Sequence, residues 1–161
     1  MPMLDAYIPD GALDPTDERA LLARLTDILL EHEGADPANP VARKLAKVWL
    51  HRPAALYHAG EPATLPHYKI ICSVPEGQFD DERRSSMTRA VTDAVIGAER
   101  GRYDDDPYRV WVFPSEVTEG TWGAGGRIVR LSDIAGVVLG DPERGRAYAE
   151  RRLGLRQPAA V

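Results

Sequence analysis

Apolar residues return along this chain in two rhythms. Leu4, Ala6 and Ile8 alternate with Asp5 and Tyr7, which is the period of a β-strand, and Pro9 ends the run. Leu21, Leu22, Leu25, Ile28 and Leu29 then recur at helical spacing. Asp14 before Pro15 offers a cap and a first-turn proline, and Gly34 offers a stop, so the pattern predicts a helix over 15–33. Residues 35–40, with two prolines, read as loop. Lys47–His51 reads as a second strand closed off by Pro53, and 53–66 as a connection.

The same order then recurs. Residues 68–74 form a strand running up to Pro75, and the segment 75–96 lies on 9–30 at a constant offset of 66 without a gap. Five of the 22 aligned positions are identical: Pro9/Pro75, Gly11/Gly77, Asp14/Asp80, Thr26/Thr92 and Asp27/Asp93. Lys47-Val48-Trp49-Leu50 is then matched with Arg109-Val110-Trp111-Val112, after a change of four residues in loop length. Identity at this level is weak alone; the repeat gains weight because strand, turn, helix and strand come twice in one order.

Two consecutive βαβ units imply parallel strand pairs with right-handed crossovers. The predicted fold is α/β, a mixed sheet of about four strands with two helices on one face. Tyr7 and Ile71 make the strands apolar on their other side too, which calls for cover on both faces. One chain supplies helices for only one, so an oligomer is expected. The chain reads as a single domain over 1–161: unit one at 2–66, unit two at 67–130 and a C-terminal extension at 131–161. Around the start of the extension, Ile128–Leu131 suggests a short strand. A brief helix from Ser132-Asp133 to Gly140 follows, then an arginine-rich helix over 142–153, read as solvated or packing between subunits.

Composition narrows the function. With 161 residues, 43% hydrophobic and 28% charged, the chain is one ordinary globular domain and not a disordered one. Its net charge of −5 argues against nucleic-acid binding by bulk charge. No apolar run approaches the roughly 18 residues a membrane span needs, and residues 1–30 lack a signal-peptide pattern. Cys72 is the single cysteine, so neither an internal disulfide nor a cysteine-based zinc site is expected. The expected location is the cytoplasm.

The position with most chemical promise is Pro2. Methionine is normally removed before a small second residue, which would leave Pro2 with a free secondary amine. An exposed amine of this kind is protonated at neutral pH and cannot accept a proton. Burial and nearby cations pull its pKa towards neutrality, where it serves as a general base and then a general acid. Other candidates read as structural. His51-Arg52 is a surface pair, His32, His58 and His67 lack metal-ligand spacing, Asp104–Asp106 is a solvated turn, Gly123–Gly126 is a β-turn, and Cys72 is a core residue. Neither a metal nor an organic cofactor is implied.

A second-position proline that opens a repeated strand–turn–helix unit resembles the tautomerase superfamily, over about residues 2–130. Thr26-Asp27 and Thr121–Gly126 are similar to segments of that family. The start Met1-Pro2-Met3 and the two-unit length look like its fused branches, which include macrophage migration inhibitory factor, malonate semialdehyde decarboxylase and cis-3-chloroacrylic acid dehalogenase. The resemblance implies a homotrimer with sites between subunits and a small carboxylate-bearing substrate. The activity it implies is cofactor-independent keto–enol tautomerisation by Pro2. One catalytic proline per chain is implied, since Tyr68 stands at that place in unit two. The family's strand-opening arginine corresponds to Lys47 and to Arg109, and Arg109 is expected to hold the substrate carboxylate. Trp122 and Phe113 are expected to wall the pocket. Gln78, where the dehalogenase branch carries an arginine, is taken as a polar substrate contact. Ala12, Pro75 and Gln78 depart from the family's arginines, and Leu29 from a histidine. Two alternatives follow. One is a hydratase or dehalogenase acting on unsaturated acids, with Glu116 or Glu119 positioning water. The other is a noncatalytic trimeric binding module on the same scaffold.

Overall fold

In the computed structural model, which describes residues 2–154, the first alternation forms strand β1 (Met3–Tyr7) and the helical stripe forms α1 (Pro15–Glu33). Asp14 caps α1 by accepting from the Thr16 amide, and Gly34 ends it in the left-handed conformation at φ 90°. A short helix α2 (Pro40–Leu45) leads into β2 (Lys47–His51). The two-residue strands β3 (Tyr57–His58) and β4 (Glu61–Pro62) pair within the connection. Unit two repeats the plan with β5 (Tyr68–Pro75), α3 (Asp81–Ala98), a 3-10 turn at Pro107–Arg109, and β6 (Val110–Val117). A small hairpin of β7 (Gly123–Ala124) and β8 (Arg127–Ile128) turns through Gly125 and Gly126, both at positive φ. Helices α4 (Leu131–Leu139) and α5 (Pro142–Arg152) complete the described chain.

The sheet order is β2-β1-β5-β6, with each unit's own strands parallel and the two units joined antiparallel through β1 and β5. On one face Leu4, Ala6, Ile8, Ile70, Cys72 and Val74 meet Leu21, Leu25 and Leu29 of α1 and Met87, Val91 and Val95 of α3. Burial there pushes the Cys72 thiol up to about 12, so it stays protonated core packing. The face away from the helices carries Trp49, Trp111 and Phe113, which are 56%, 63% and 44% exposed.

The structure corrects the sequence reading in three places. Residues 40–45, given no element, are helical: Asn39 caps α2 by accepting from the Val41 and Ala42 amides. Met3 pairs with Lys47, and its counterpart Lys69 pairs with Trp111, so Lys47 answers Trp111 and not Arg109. The loop difference is therefore two residues, and Arg109 answers Leu45; each closes the short helix before its strand. A two-residue slip keeps every side chain on its own sheet face, so apolar alternation cannot detect it. Third, Leu131 begins a helix and not a strand. The final helix packs on its own chain: Tyr148 and Arg152 reach the turn after β5. The rest of the proposed extension, 155–161, lies outside the described residues.

Candidate active site

Pro2 is buried at the head of β1, and its carbonyl accepts from the Lys47 amide at 3.1 Å. The next residue, Met3, pairs with Ser73 of β5, two positions before Pro75. Pro75 lines a cavity of about 80 Å³ whose polar wall is Glu33, Gln78 and Tyr148. Its apolar wall comes from α4, through Leu131, Ile134, Ala135 and Val138. Met1, whose removal the sequence reading expects, lies outside the described residues.

The extension makes this cavity. Helices α4 and α5 cross so closely that a Cβ on Gly145 would stand 2.4 Å from the Gly136 amide nitrogen and 2.7 Å from the Ser132 carbonyl. The end of α5 is pressed onto the turn after β5, where a Cβ on Gly77 would stand 2.6 Å from the Arg152 carbonyl. Arg152 donates to the Gln78 carbonyl at 2.6 Å, and Asn39 donates to the Val138 carbonyl at 3.4 Å. The helix pair thus roofs the proline end of the sheet.

Two groups in this cavity stand out chemically. Gln78 is 3% exposed; its Oε1 accepts from the Tyr148 hydroxyl at 2.7 Å, while its Nε2 has no partner among the described residues. A buried donor without a partner is costly, and a ligand oxygen in the cavity would satisfy it. Half-buried Glu33 is the second. Burial raises its carboxyl to about 7. Burial also raises the Tyr148 phenol, which keeps it protonated.

Arg109 does not serve as the expected carboxylate clamp. Its Nε donates to Asp104, Nη1 to the Pro66 carbonyl and Glu99, and Nη2 to Glu99 and the Asp104 carbonyl. All five donors of the guanidinium are engaged. The group is 2% exposed, and these acceptors raise its pKa further. Glu99 also accepts from the Tyr68 hydroxyl at 2.8 Å. The place in unit two that corresponds to Pro2 is thus filled by a buried Tyr68–Glu99–Arg109 network. Glu99 came to light only in the structure, although its offset of 66 from Glu33 could have drawn attention to it.

The remaining expected site residues are dispersed within one chain. Phe113 sits opposite Ile71 on the open face, edge-on to Trp111 at 6.5 Å. Trp122 is half-buried beside the small hairpin, its carbonyl accepting from the Val129 amide. Lys47 touches Pro2 through its backbone, and its side chain is exposed. None of these three lines the cavity. Glu116 accepts from the Phe79 amide and pairs with Arg84, and Glu119 accepts from the Leu131 amide, so both carboxylates hold backbone in place. In the acidic turn, Asp104 takes Arg109 and Asp106 caps the 3-10 turn. Among the described residues no group of three His, Cys, Asp or Glu is placed to hold a metal ion.

Neither a protein-family profile nor a curated protein sequence matches the chain. Solved structures do. N1, a member of the cis-3-chloroacrylic acid dehalogenase (cis-CaaD) family, has a TM-score of 0.64 at 17% identity, over 91% of this chain and 89% of its own. Pt0534, solved after inactivation by 2-oxo-3-pentynoate, has a TM-score of 0.62 at 20% identity, over 78% of this chain and 94% of its own. A fused 4-OT in a symmetric trimer has a TM-score of 0.62 at 21% identity over the same shares. At these identities the likeness establishes architecture alone: the chain shares the fold of these structures, built here as two βαβ units in one four-stranded sheet.

Proposed function

We propose that the protein is a keto–enol tautomerase of small 2-keto or enol carboxylic acids, with the Pro2 amine as its base and acid. The observation that supports the reading is the burial of Pro2 at the head of β1, at the end of the sheet where Pro75 of the neighbouring strand lines a roofed cavity with a buried, unsatisfied amide donor, although Pro2 itself is not in that lining. Burial disfavours the protonated amine and brings its pKa towards neutral, where proton transfer is most effective. The amine takes the enol hydroxyl proton, and this proton makes good the one the site delivers to the carbon, so the keto acid forms with no net proton gained or lost. Gln78 Nε2 would hydrogen-bond a substrate oxygen, and the apolar side of α4 would hold a small hydrocarbon portion. Arg109 has no part in this scheme, because its donors are taken. Trp122, Phe113 and Lys47 join it only if a neighbouring subunit brings them to the cavity. The related structures include trimers, which supports a homo-oligomeric assembly.

The test is ketonisation of phenylenolpyruvate by the Met-processed protein and by Pro2→Ala. Loss of 10²-fold or more in the variant is the expected result, within the usual range for a proton-transfer group. Undiminished activity in the variant would refute the reading. Absence of activity in the parent protein, together with an ordinary Pro2 amine pKa, would favour the noncatalytic binding module. The hydratase reading has lost its two original water-positioning candidates, Glu116 and Glu119, to structural roles.

A further inference from the structure

Resting on the assignment of Pro2 as the base, we propose that Glu33 is its acid–base partner and donates the proton that the substrate carbon receives. Pro2 and Tyr68, like Glu33 and Glu99, stand at one constant offset, and the chain turns alike after each glutamate. Gly34 at φ 90° and Arg100 at φ 53° both take the left-handed conformation. The side chains of Glu33 and Glu99 therefore leave equivalent places in their units. In unit two Glu99 is saturated by the Tyr68 hydroxyl and the Arg109 guanidinium. In unit one those positions hold Pro2 and, by strand register, Leu45. Unit one has thereby exchanged a phenol and a guanidinium for an amine and a hydrocarbon. Among the described residues no donor reaches the Glu33 carboxyl, and it lines the cavity with Gln78. The residue this exchange sets in the place from which Tyr68 reaches Glu99 is Pro2.

The other charged or titratable groups on this side are few. Tyr148 of α5 lines the same cavity, with Arg151 and Arg152 near it on that helix. Arg83 of α3 donates to the His32 and Gln78 carbonyls. The facing side of α4 is apolar. A carboxyl so placed is held near neutrality and shares one proton with the amine as a coupled pair. In the free enzyme the amine is neutral and Glu33 is protonated. The amine removes the enol hydroxyl proton while the carbon takes the proton from Glu33, leaving prolinium and carboxylate. Return of the proton from prolinium to carboxylate restores the starting state, and no net proton is gained or lost.

The test is a titration of the Pro2 amine by ¹⁵N NMR in the Met-processed protein and in Glu33→Gln, alongside the pH profile of phenylenolpyruvate ketonisation. Removing a neighbouring carboxylate should lower the Pro2 pKa measurably. It should also reduce kcat about 10²-fold with little change in KM, and Glu33→Asp should recover part of the loss. An unmoved Pro2 titration, or an unaltered kcat, overturns the proposal. If Pro2→Ala is inactive while Glu33→Gln behaves as the parent, only the role of Glu33 falls. If Pro2→Ala stays fully active, the proline reading itself falls. Should Glu33→Gln fail to fold, the Glu33 carboxyl is followed by ¹³C NMR in the parent protein. Titration coupled to that of Pro2 supports the pairing, and independent titration at an ordinary carboxylate value overturns it.

Discussion

Arg109 and Glu33 show opposite ways of placing a charged side chain in this protein. The Arg109–Glu99 pair is fully buried with both partners satisfied, so removing the arginine leaves a carboxylate stranded in the core. Arg109→Met should therefore destabilise the fold by about 3–5 kcal/mol, measured by urea unfolding. Arg109→Lys should recover little, because an ammonium cannot reproduce the planar five-donor fork. Glu33 is the reverse case, since its folded pKa lies above its unfolded value of 4.5, at about 7. Between those values the folded state holds more protons than the unfolded one. The stabilisation by this group is complete below pH 4.5 and declines as pH rises through 7. Thermal melts of Glu33→Gln should accordingly lose less stability between pH 5 and 8 than the parent does. A parallel pair of curves would contradict this. Sequence could offer Arg109 as a ligand because residue type and neighbourhood were all it displayed. It could not reveal that Glu99 and Asp104 close on the guanidinium.

Elements were legible where local chemistry sufficed. The α1 boundaries follow from Asp14, Pro15 and Gly34, each acting within a turn of its own position. Helix α2 escaped notice because it has six residues and one buried apolar side chain, although Asn39 before Pro40 is a helix-start signal. The crossing of α4 and α5 depends on Gly136 and Gly145 meeting, which neither segment displays alone. Gly145→Ala should force that crossing apart at a cost of about 1–3 kcal/mol. It should also loosen the cavity roof, so that KM rises while a thermal melt records the lost packing. A variant with unaltered melting and unaltered KM would show that the roof is not set by this contact.

At the scale of the whole molecule, the helix-free sheet face shapes the expectations. Cross-strand rows place Trp49, Asp5, Ile71 and Phe113 side by side, followed by His51, Tyr7, Lys69 and Trp111. Tyr7 stacks on His51 at 4.3 Å, and the Lys69 ammonium stands 4.0 Å from the centre of the Tyr7 ring. Such ordered rows, left exposed in one chain, suit burial against further copies. We expect light scattering to report a trimer and Trp111→Glu to shift it towards monomer, with activity falling where the assembly falls. A parent protein that is monomeric at micromolar concentration would contradict this.

By itself the sequence determined the two-unit plan, the four principal strands and the long helices with their caps, because all of these depend on periodicity or on residues a few positions apart. Tertiary structure decided the rest. It set the two-residue register that aligns Arg109 with Leu45, folded the C-terminal helices over the proline end of the sheet, and enclosed Glu33 and Gln78 in one cavity. Those outcomes turn on which distant side chains meet and how much water remains between them. Neither quantity is written in the spacing of residues along a chain.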